Sequence, residues 1–402
     1  MLGLNLIYNR STYTFSKTGE REGILCMDMH SYRNVFAEVG YTENEIGNRL
    51  EEIKKEFFFG EDRVYFETGS DMAYIVDTGN NDARTEGMSY GMMMCVQLNM
   101  HEEFDRLWKW AKTYMWMSEG ENEGYFAWSC ALDGKKNAYG PAPDGEEYFA
   151  MALLFASHRW GDGEGIFNYS KEACDILTAM IHKGRGDRAG APMMNADNYQ
   201  ILFVPGIGFT DPSYHLPHFY KLFAEWGPEA DREFWNKASL VARDYLVKAC
   251  HPVTGFSAEY AEFDGSPLKM KLPWSKDRHD WFYSDSYRTV ANIGLDYEWN
   301  KIDVGQIKAC GNIQRALLDD MRADTYHIYE VDGRVAGEKA LHPYGITATV
   351  AESVLGSKLD NVAIEWVKKF YEMPMRKGER RYYDNCLYVF AFLALSGNYR
   401  IW

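Results

Sequence analysis

The chain has 402 residues, room for one large domain or two ordinary ones. Forty-three basic residues against 59 acidic ones leave a net charge of −16, which argues against nucleic acid and anionic membranes as partners. Hydrophobic residues make up 46%, as in a globular enzyme, and no apolar run reaches membrane-spanning length.

The start, Met1-Leu2-Gly3-Leu4-Asn5-Leu6-Ile7-Tyr8-Asn9-Arg10, lacks a basic n-region, a full h-region and a cleavage site. The expectation is a cytoplasmic protein. From there two kinds of helical text alternate. The first kind is amphipathic and charged, with one wet face. It occurs at 45–58, then from Glu102 to Met117 with Phe104, Leu107, Trp108, Ala111 and Met115 on one side. It returns at 170–182, from Asp231 to Cys250, at 304–322 and at 359–372. The second kind is apolar nearly all round, at 87–98, 145–159, 212–225, 286–298, 345–356 and 385–396. Helices without a polar face are buried on all sides. An outer–inner alternation repeated six times predicts an all-α fold, an (α/α)6 barrel of six inner and six outer helices. No Gly/Ser- or Pro-rich linker interrupts it, so one catalytic domain is expected over 1–402.

Strand-like text is scarce. Tyr125 to Cys130 and Thr325 to Arg334 are expected to form short hairpins inside the long connections at 59–85, 118–144, 183–211, 251–284 and 323–344. All of these precede inner helices and so share one face. Loops of this length are usually functional. Seven cysteines, at 26, 95, 130, 174, 250, 310 and 386, include no CxxC pair, so neither a zinc site nor a disulfide framework is expected. Cys95, Cys310 and Cys386 read as small core residues. Aromatic residues reach 15%, compatible with stacking on sugar rings and equally with core packing.

The inner segments open on acidic or phenolic groups: Glu86, Asp144, Tyr214 and Asp285. Carboxylates at the mouths of several helices can converge on one cleft, and an acid–base pair of them is what glycoside hydrolysis requires. Each also has a plainer reading. Asp144 with Glu147 has capping-box spacing. Asp285 with Arg288 is an ordinary i,i+3 pair. Asp211-Pro212 reads as an N-cap followed by Pro, with Tyr214 in the first turn. Gly87 and Gly91 make a poor helix start unless close approach is needed there. Spacing alone leaves these alternatives open.

Ala142-Pro143-Asp144-Gly145-Glu146, followed by Ala150, Ala152-Leu153-Leu154, Ala156 and Trp160, resembles the signature of glycoside hydrolase family 8. Pro143, Glu146 and Phe149 depart from that pattern. Thr85-Glu86-Gly87-Met88-Ser89-Tyr90-Gly91-Met92 resembles the family's general-acid block, and Ser284-Asp285-Ser286-Tyr287-Arg288 its general-base block. The likeness runs from about residue 60 to the C-terminus and again implies the (α/α)6 barrel. It implies Glu86 as proton donor, Asp285 as the base activating water, Tyr214 as a holder of that water, and Asp144 as binder and distorter of the sugar. It further implies that Arg288 orients Asp285 and that Trp128 stacks on a sugar. Tyr383 is a second stacking candidate, with Tyr382 competing. Leu341-His342-Pro343 is similar to the loop that closes the cleft in the family's reducing-end xylose-releasing exo-oligoxylanases, where the histidine meets the anomeric hydroxyl.

The expectation is therefore an inverting hydrolase freeing xylose from the reducing end of β-1,4-xylo-oligosaccharides. No metal or organic cofactor is expected, and the chain is expected to act as a monomer. An endo-acting β-1,4-xylanase or other endo-glycanase of the family is the alternative, and would need an open cleft. A sugar epimerase would show histidine bases at the inner helix starts, and a non-catalytic glycan binder would need no matched acid and base.

Overall fold

Thr42 caps the first barrel helix, α1 (Glu43–Phe59). Its hydroxyl accepts from the Glu45 N–H while the Glu45 carboxylate accepts from the Thr42 N–H. Helix α1 buries only Ile46, Ile53, Phe57 and Phe58, whereas α2 (Thr85–Leu98) buries every residue from Thr85 to Gln97 except Glu86. The contrast continues around the molecule. Helices α3 (His101–Trp110), α5 (Tyr169–His182), α7 (Arg232–Ala249), α9 (Lys308–Ala316) and α11 (Asn361–Glu372) lie outside. Helices α4 (Pro143–Trp160), α6 (Pro217–Trp226), α8 (Arg288–Asn300), α10 (Pro343–Glu352) and α12 (Arg381–Leu395) lie inside. Each inner helix touches the next, and α12 returns to α2, so the inner ring closes. This is the (α/α)6 barrel that the alternation predicted.

The structure, a computed structural model, describes residues 32–186, 189–275 and 278–402. Tyr32–Trp402 forms one compact unit. The readings placed on Met1–Arg10 and Cys26, and the part of the 1–402 domain before Tyr32, lie outside the described residues. Among the described residues no helix is long and apolar enough to cross a membrane. The six described cysteines are all free, and Cys95, Cys310 and Cys386 are fully buried as expected.

Helix ends depart from the sequence reading where local chemistry intervenes. Residues 212–225 are not one helix: Pro212–Tyr214 is a 3-10 turn and α6 starts at Pro217. Proline lacks an N–H and disfavours helical backbone at the residue before it, here Leu216. Helix α3 runs on through a single π-turn, Ala111–Met115. The segment 304–322 breaks at Leu317 into α9 and the short helix Leu318–Ala323.

Among the described residues, seven short strands decorate the loops. A hairpin of β1 (Tyr65–Thr68) and β2 (Met72–Ile75) escaped the sequence reading. The expected hairpin within Tyr125–Cys130 is corrected: β4 (Ser129–Cys130) pairs instead with β3 (Ala83–Arg84), immediately before α2. The second expected hairpin is longer than Thr325–Arg334, running β6 (His327–Glu330) against β7 (Val335–Lys339), with β5 (Trp281–Phe282) on its other side. Glycines set how closely these parts approach α2. A Cβ on Gly91 would lie 2.8 Å from Ile75, and one on Gly145 would lie 2.5 Å from Thr85. Between layers, Arg243 of α7 donates to Asp296 of α8 through Nε and Nη2 at 2.8 and 2.6 Å, a buried two-pronged pair that fixes their register.

Candidate active site

All six inner helices begin on one face, and each delivers a polar group there. Glu86 is the second residue of α2 and Asp144 the second of α4. Tyr214 ends the 3-10 turn ahead of α6. Asp285 lies in a 3-10 turn that runs into Arg288, the first residue of α8. Leu341 and His342 precede α10, and Tyr382 and Tyr383 open α12.

Arg288 joins these ends. It is almost wholly buried, and Nη1 donates to Glu86 Oε2 at 3.2 Å, to Asp144 Oδ2 at 2.9 Å and to the Tyr90 hydroxyl at 2.7 Å. Nη2 forms an ion pair with Asp285 Oδ1 at 3.1 Å. The i,i+3 pair expected from sequence is present, but it is one arm of a cluster that also holds Glu86 and Asp144. Neither does Asp144 act as an N-cap. Ala142 holds that position, and Asp144 lies one residue inside the helix with its carboxylate on Arg288 and on the Gly145 N–H.

One guanidinium facing three carboxyl groups cannot keep all of them ionised cheaply. Burial first, then the charges of Asp144 and Asp285, push the Glu86 carboxyl up to about 7, against the opposing pull of Arg288 and Tyr382. Asp144 is also raised, by burial, although Arg288 works against it. The Tyr214 hydroxyl is pushed well above its ordinary range by burial and by Asp144 and Asp285, so it stays a donor beside both. Its ring lies under the Arg288 guanidinium, 5.6 Å from ring centroid to Cζ.

Local backbone serves this arrangement. Ser284, just before Asp285, is held at φ +48°, a left-handed conformation costing a non-glycine residue about 1–2 kcal/mol. Its carbonyl accepts from the Tyr383 hydroxyl at 3.2 Å. Gly87 lies against Tyr382, whose hydroxyl would be 2.6 Å from a Cβ there. The absence of that Cβ lets Tyr382 donate to Glu86 Oε1 at 2.7 Å. This is the close approach that the two early glycines of α2 called for.

Glu86 and Asp285 line a cleft of about 190 Å³ together with Arg84, Tyr283, Leu341, His342, Tyr382 and Tyr383. Leu341 and His342 form part of its wall. Trp128 is beside the cleft, 38% exposed, with the Arg84 guanidinium over its ring at 5.2 Å. The Thr85 N–H donates to the Trp128 carbonyl at 3.0 Å, so the β3–β4 pairing carries this ring to the start of α2. Every site residue singled out in the sequence thus lies in or beside one cleft. Tyr90, Arg84, Asp384 and Arg376 were missed, and Tyr382, weighed in the sequence as a rival stacking ring to Tyr383, instead donates to Glu86. Tyr382 and Asp384 carry the same signal as the others, a phenolic or acidic group opening an apolar segment. Arg376 sits in a loop and gives no such signal.

A barrel of this kind with a carboxyl cluster at the inner helix starts defines a class, and comparison with known proteins agrees. The profile of the family described as Glycosyl hydrolases family 8 matches residues 35–397, and the chain belongs to that family. A reducing end xylose-releasing exo-oligoxylanase from Halalkalibacterium halodurans is 51% identical over 92% of this chain and 94% of its own. The structure of Rex8A from Paenibacillus barcinonensis, complexed with xylose, superimposes with a TM-score of 0.89 at 49% identity, covering 92% of this chain and 97% of the other. An endoglucanase from Ruminiclostridium josui is more distant, 25% identical over 80% of this chain and 65% of its own.

Proposed function

We propose that the protein is an inverting glycoside hydrolase that releases xylose from the reducing end of β-1,4-xylo-oligosaccharides. Glu86 is the general acid and Asp285 the general base. The observation that carries this reading is the single Arg288 guanidinium in contact with both carboxyls. It keeps them close enough to serve one bond, yet on different arms. Inverting enzymes hold their two carboxyls about 6.5–9.5 Å apart, leaving room for a water.

The chemistry follows from the protonation states. Glu86, with its carboxyl raised to about 7, still carries a proton in about half the molecules at neutral pH and gives it to the leaving oxygen of the glycosidic bond. Asp285 takes a proton from water as that water's oxygen bonds to the anomeric carbon from the opposite face. The new reducing end is therefore the α-anomer. Tyr214 holds the water, and Asp144 grips and distorts the sugar at the cleaved bond. Trp128 and Tyr383 offer rings to neighbouring sugars. Acid and base both come from side chains, so no step calls for a metal or organic cofactor.

The exo character rests on Leu341 and His342. These two residues are part of the wall of the cleft. An endo-acting enzyme needs an open groove instead. We read the chain as one catalytic domain over 1–402, monomeric and cytoplasmic. The net charge of −16 supports a neutral sugar partner over nucleic acid or anionic membrane, and six free cysteines support a reducing compartment. The test is xylotriose labelled at its reducing end. Labelled xylose and unlabelled xylobiose are expected, and internal cleavage of polymeric xylan would overturn the exo reading while leaving the family intact.

A further inference from the structure

His342 is not a free loop side chain. Its Nδ1 lies 2.9 Å from Oδ2 of Asp384, a residue of α12 with no solvent exposure. The same oxygen takes Nη1 of Arg376, and the other, Oδ1, accepts the Gly345 N–H at 2.6 Å. Gly345 permits that approach, since a Cβ there would meet Leu387 at 2.9 Å and Asp384 Oδ1 at 3.4 Å. Arg376 Nη1 also donates to the Leu341 carbonyl at 2.7 Å. Arg376 is itself anchored, because its backbone N–H and carbonyl exchange hydrogen bonds with the Asn385 side chain at 2.8 and 2.9 Å. The Tyr383 ring meets the imidazole edge to face at 4.9 Å.

We infer that Asp384, held by Arg376, locks His342 in the Nδ1–H tautomer, which makes its Nε2 a hydrogen-bond acceptor reserved for a donating anomeric hydroxyl. This rests on the reading of His342 as the residue that meets the reducing end. Asp384 receives an N–H from Arg376 and another from Gly345, so it faces His342 as an acceptor. The proton between them therefore belongs to Nδ1. A neutral imidazole carries one N–H, and Nε2 is left with a bare lone pair. A free anomeric hydroxyl can donate to that lone pair. A methyl glycoside, or the glycosidic oxygen of a chain that continues, has no hydrogen to give and presents lone pair to lone pair. With the opposite tautomer, Nε2–H would donate to either oxygen and the distinction would vanish. Asp384 and Arg376 are thus positioning residues. They set the polarity of the end stop, and the wall formed by Leu341 and His342 supplies its shape.

The direct test is nitrogen NMR of the wild-type protein with 15N-labelled histidine, the His342 signals identified by their loss in His342→Gln. A protonated Nδ1 and a bare Nε2 are expected, and an Nε2–H tautomer overturns the inference. The kinetic test compares kcat/KM for xylotriose with that for its methyl β-glycoside, each divided by activity on xylobiosyl β-fluoride, which places no sugar at His342. In Asp384→Asn a single amide oxygen must serve three donors, the amide NH2 turns toward Nδ1, and the tautomer reverses. The wild-type preference for xylotriose should fall by about tenfold or more, the worth of roughly one hydrogen bond. Arg376→Ala, outside the core, covers the case in which Asp384→Asn does not fold. A wild-type enzyme that cuts both trisaccharides equally contradicts the reading of His342 as an end stop. A discriminating wild type whose preference survives both substitutions contradicts only the role given to Asp384 and Arg376.

Discussion

Replacing Tyr382 by Phe removes one hydrogen bond from Glu86 and leaves Arg288 in place, so the alkaline limb of activity should move upward. Tyr382 donates to Glu86 Oε1 at 2.7 Å, and Arg288 Nη1 reaches Oε2 at 3.2 Å. The tyrosine bond favours the ionised carboxylate, working against the burial that raises Glu86 to about 7. A hydrogen bond to a charged group is worth about 1.5–3 kcal/mol, and a protonated carboxyl keeps about half of that. The remainder, about 0.8–1.5 kcal/mol, corresponds to roughly one pH unit. The sign is fixed: losing a bond to the charged form raises the pKa, and a general acid is active when protonated. The pH profile of kcat/KM for xylotriose reports the free enzyme. Its alkaline limb should fall near pH 7 in the wild type, as the raised Glu86 carboxyl requires, and roughly one unit higher in Tyr382→Phe. A limb that stays put or moves down would refute the assignment of Glu86 as the titrating acid.

The fold was legible because the barrel writes its two layers in different alphabets. Residues 87–98 are apolar on every side, and α2 is buried on every side except at Glu86. The segment 45–58 has one apolar stripe, and α1 buries one stripe. What stayed hidden depends on pairing across sequence. Strand β4 finds its partner in β3, far back in the chain, and two-residue strands carry no periodicity of their own. The break at Leu317 and the π-turn after Trp110 likewise leave little trace in local text.

The site was legible in its positions and illegible in its wiring. Glu86, Asp144, Tyr214 and Asp285 each open an inner helix, and a closed ring must bring such openings together. Nothing in Ser284-Asp285-Ser286-Tyr287-Arg288 announces that Arg288 also reaches Asp144 and Glu86, because those contacts span 144 and 202 residues. The capping-box reading of Asp144 failed because the helix starts at Pro143, which leaves Asp144 inside it with its carboxylate shared between Arg288 and the Gly145 N–H. Asp384 had the right signal but was passed over. Its neighbour Tyr383 drew notice as a sugar platform, whereas a carboxylate that only orients a histidine is recognised once His342 is seen beside it.

Glu86→Ala should abolish xylotriose hydrolysis yet spare much of the activity on a glycosyl fluoride, whose leaving group needs little protonation; equal losses on both would remove Glu86 as the acid. Asp285→Asn should lose both activities, and proton NMR of early wild-type products should show the α-anomer first, a β-anomer pointing to a retaining mechanism. The last concerns stability. Glu352 ends α10 and lines, with Tyr148, Tyr399 and Arg288, an internal cavity where burial pushes its carboxyl from 4.5 up to about 8. The folded protein therefore binds this proton more tightly than the unfolded chain, so the group's contribution is most favourable below about pH 4.5 and is lost as pH rises through about 8. Glutamine keeps the shape without the titration, so Glu352→Gln should gain on the wild type steadily across that window, by up to about 5 kcal/mol, and level off above it. Denaturant melts of both proteins across the same pH range would show the widening gap. A gap independent of pH would mean that Glu352 keeps its ordinary acidity inside the barrel.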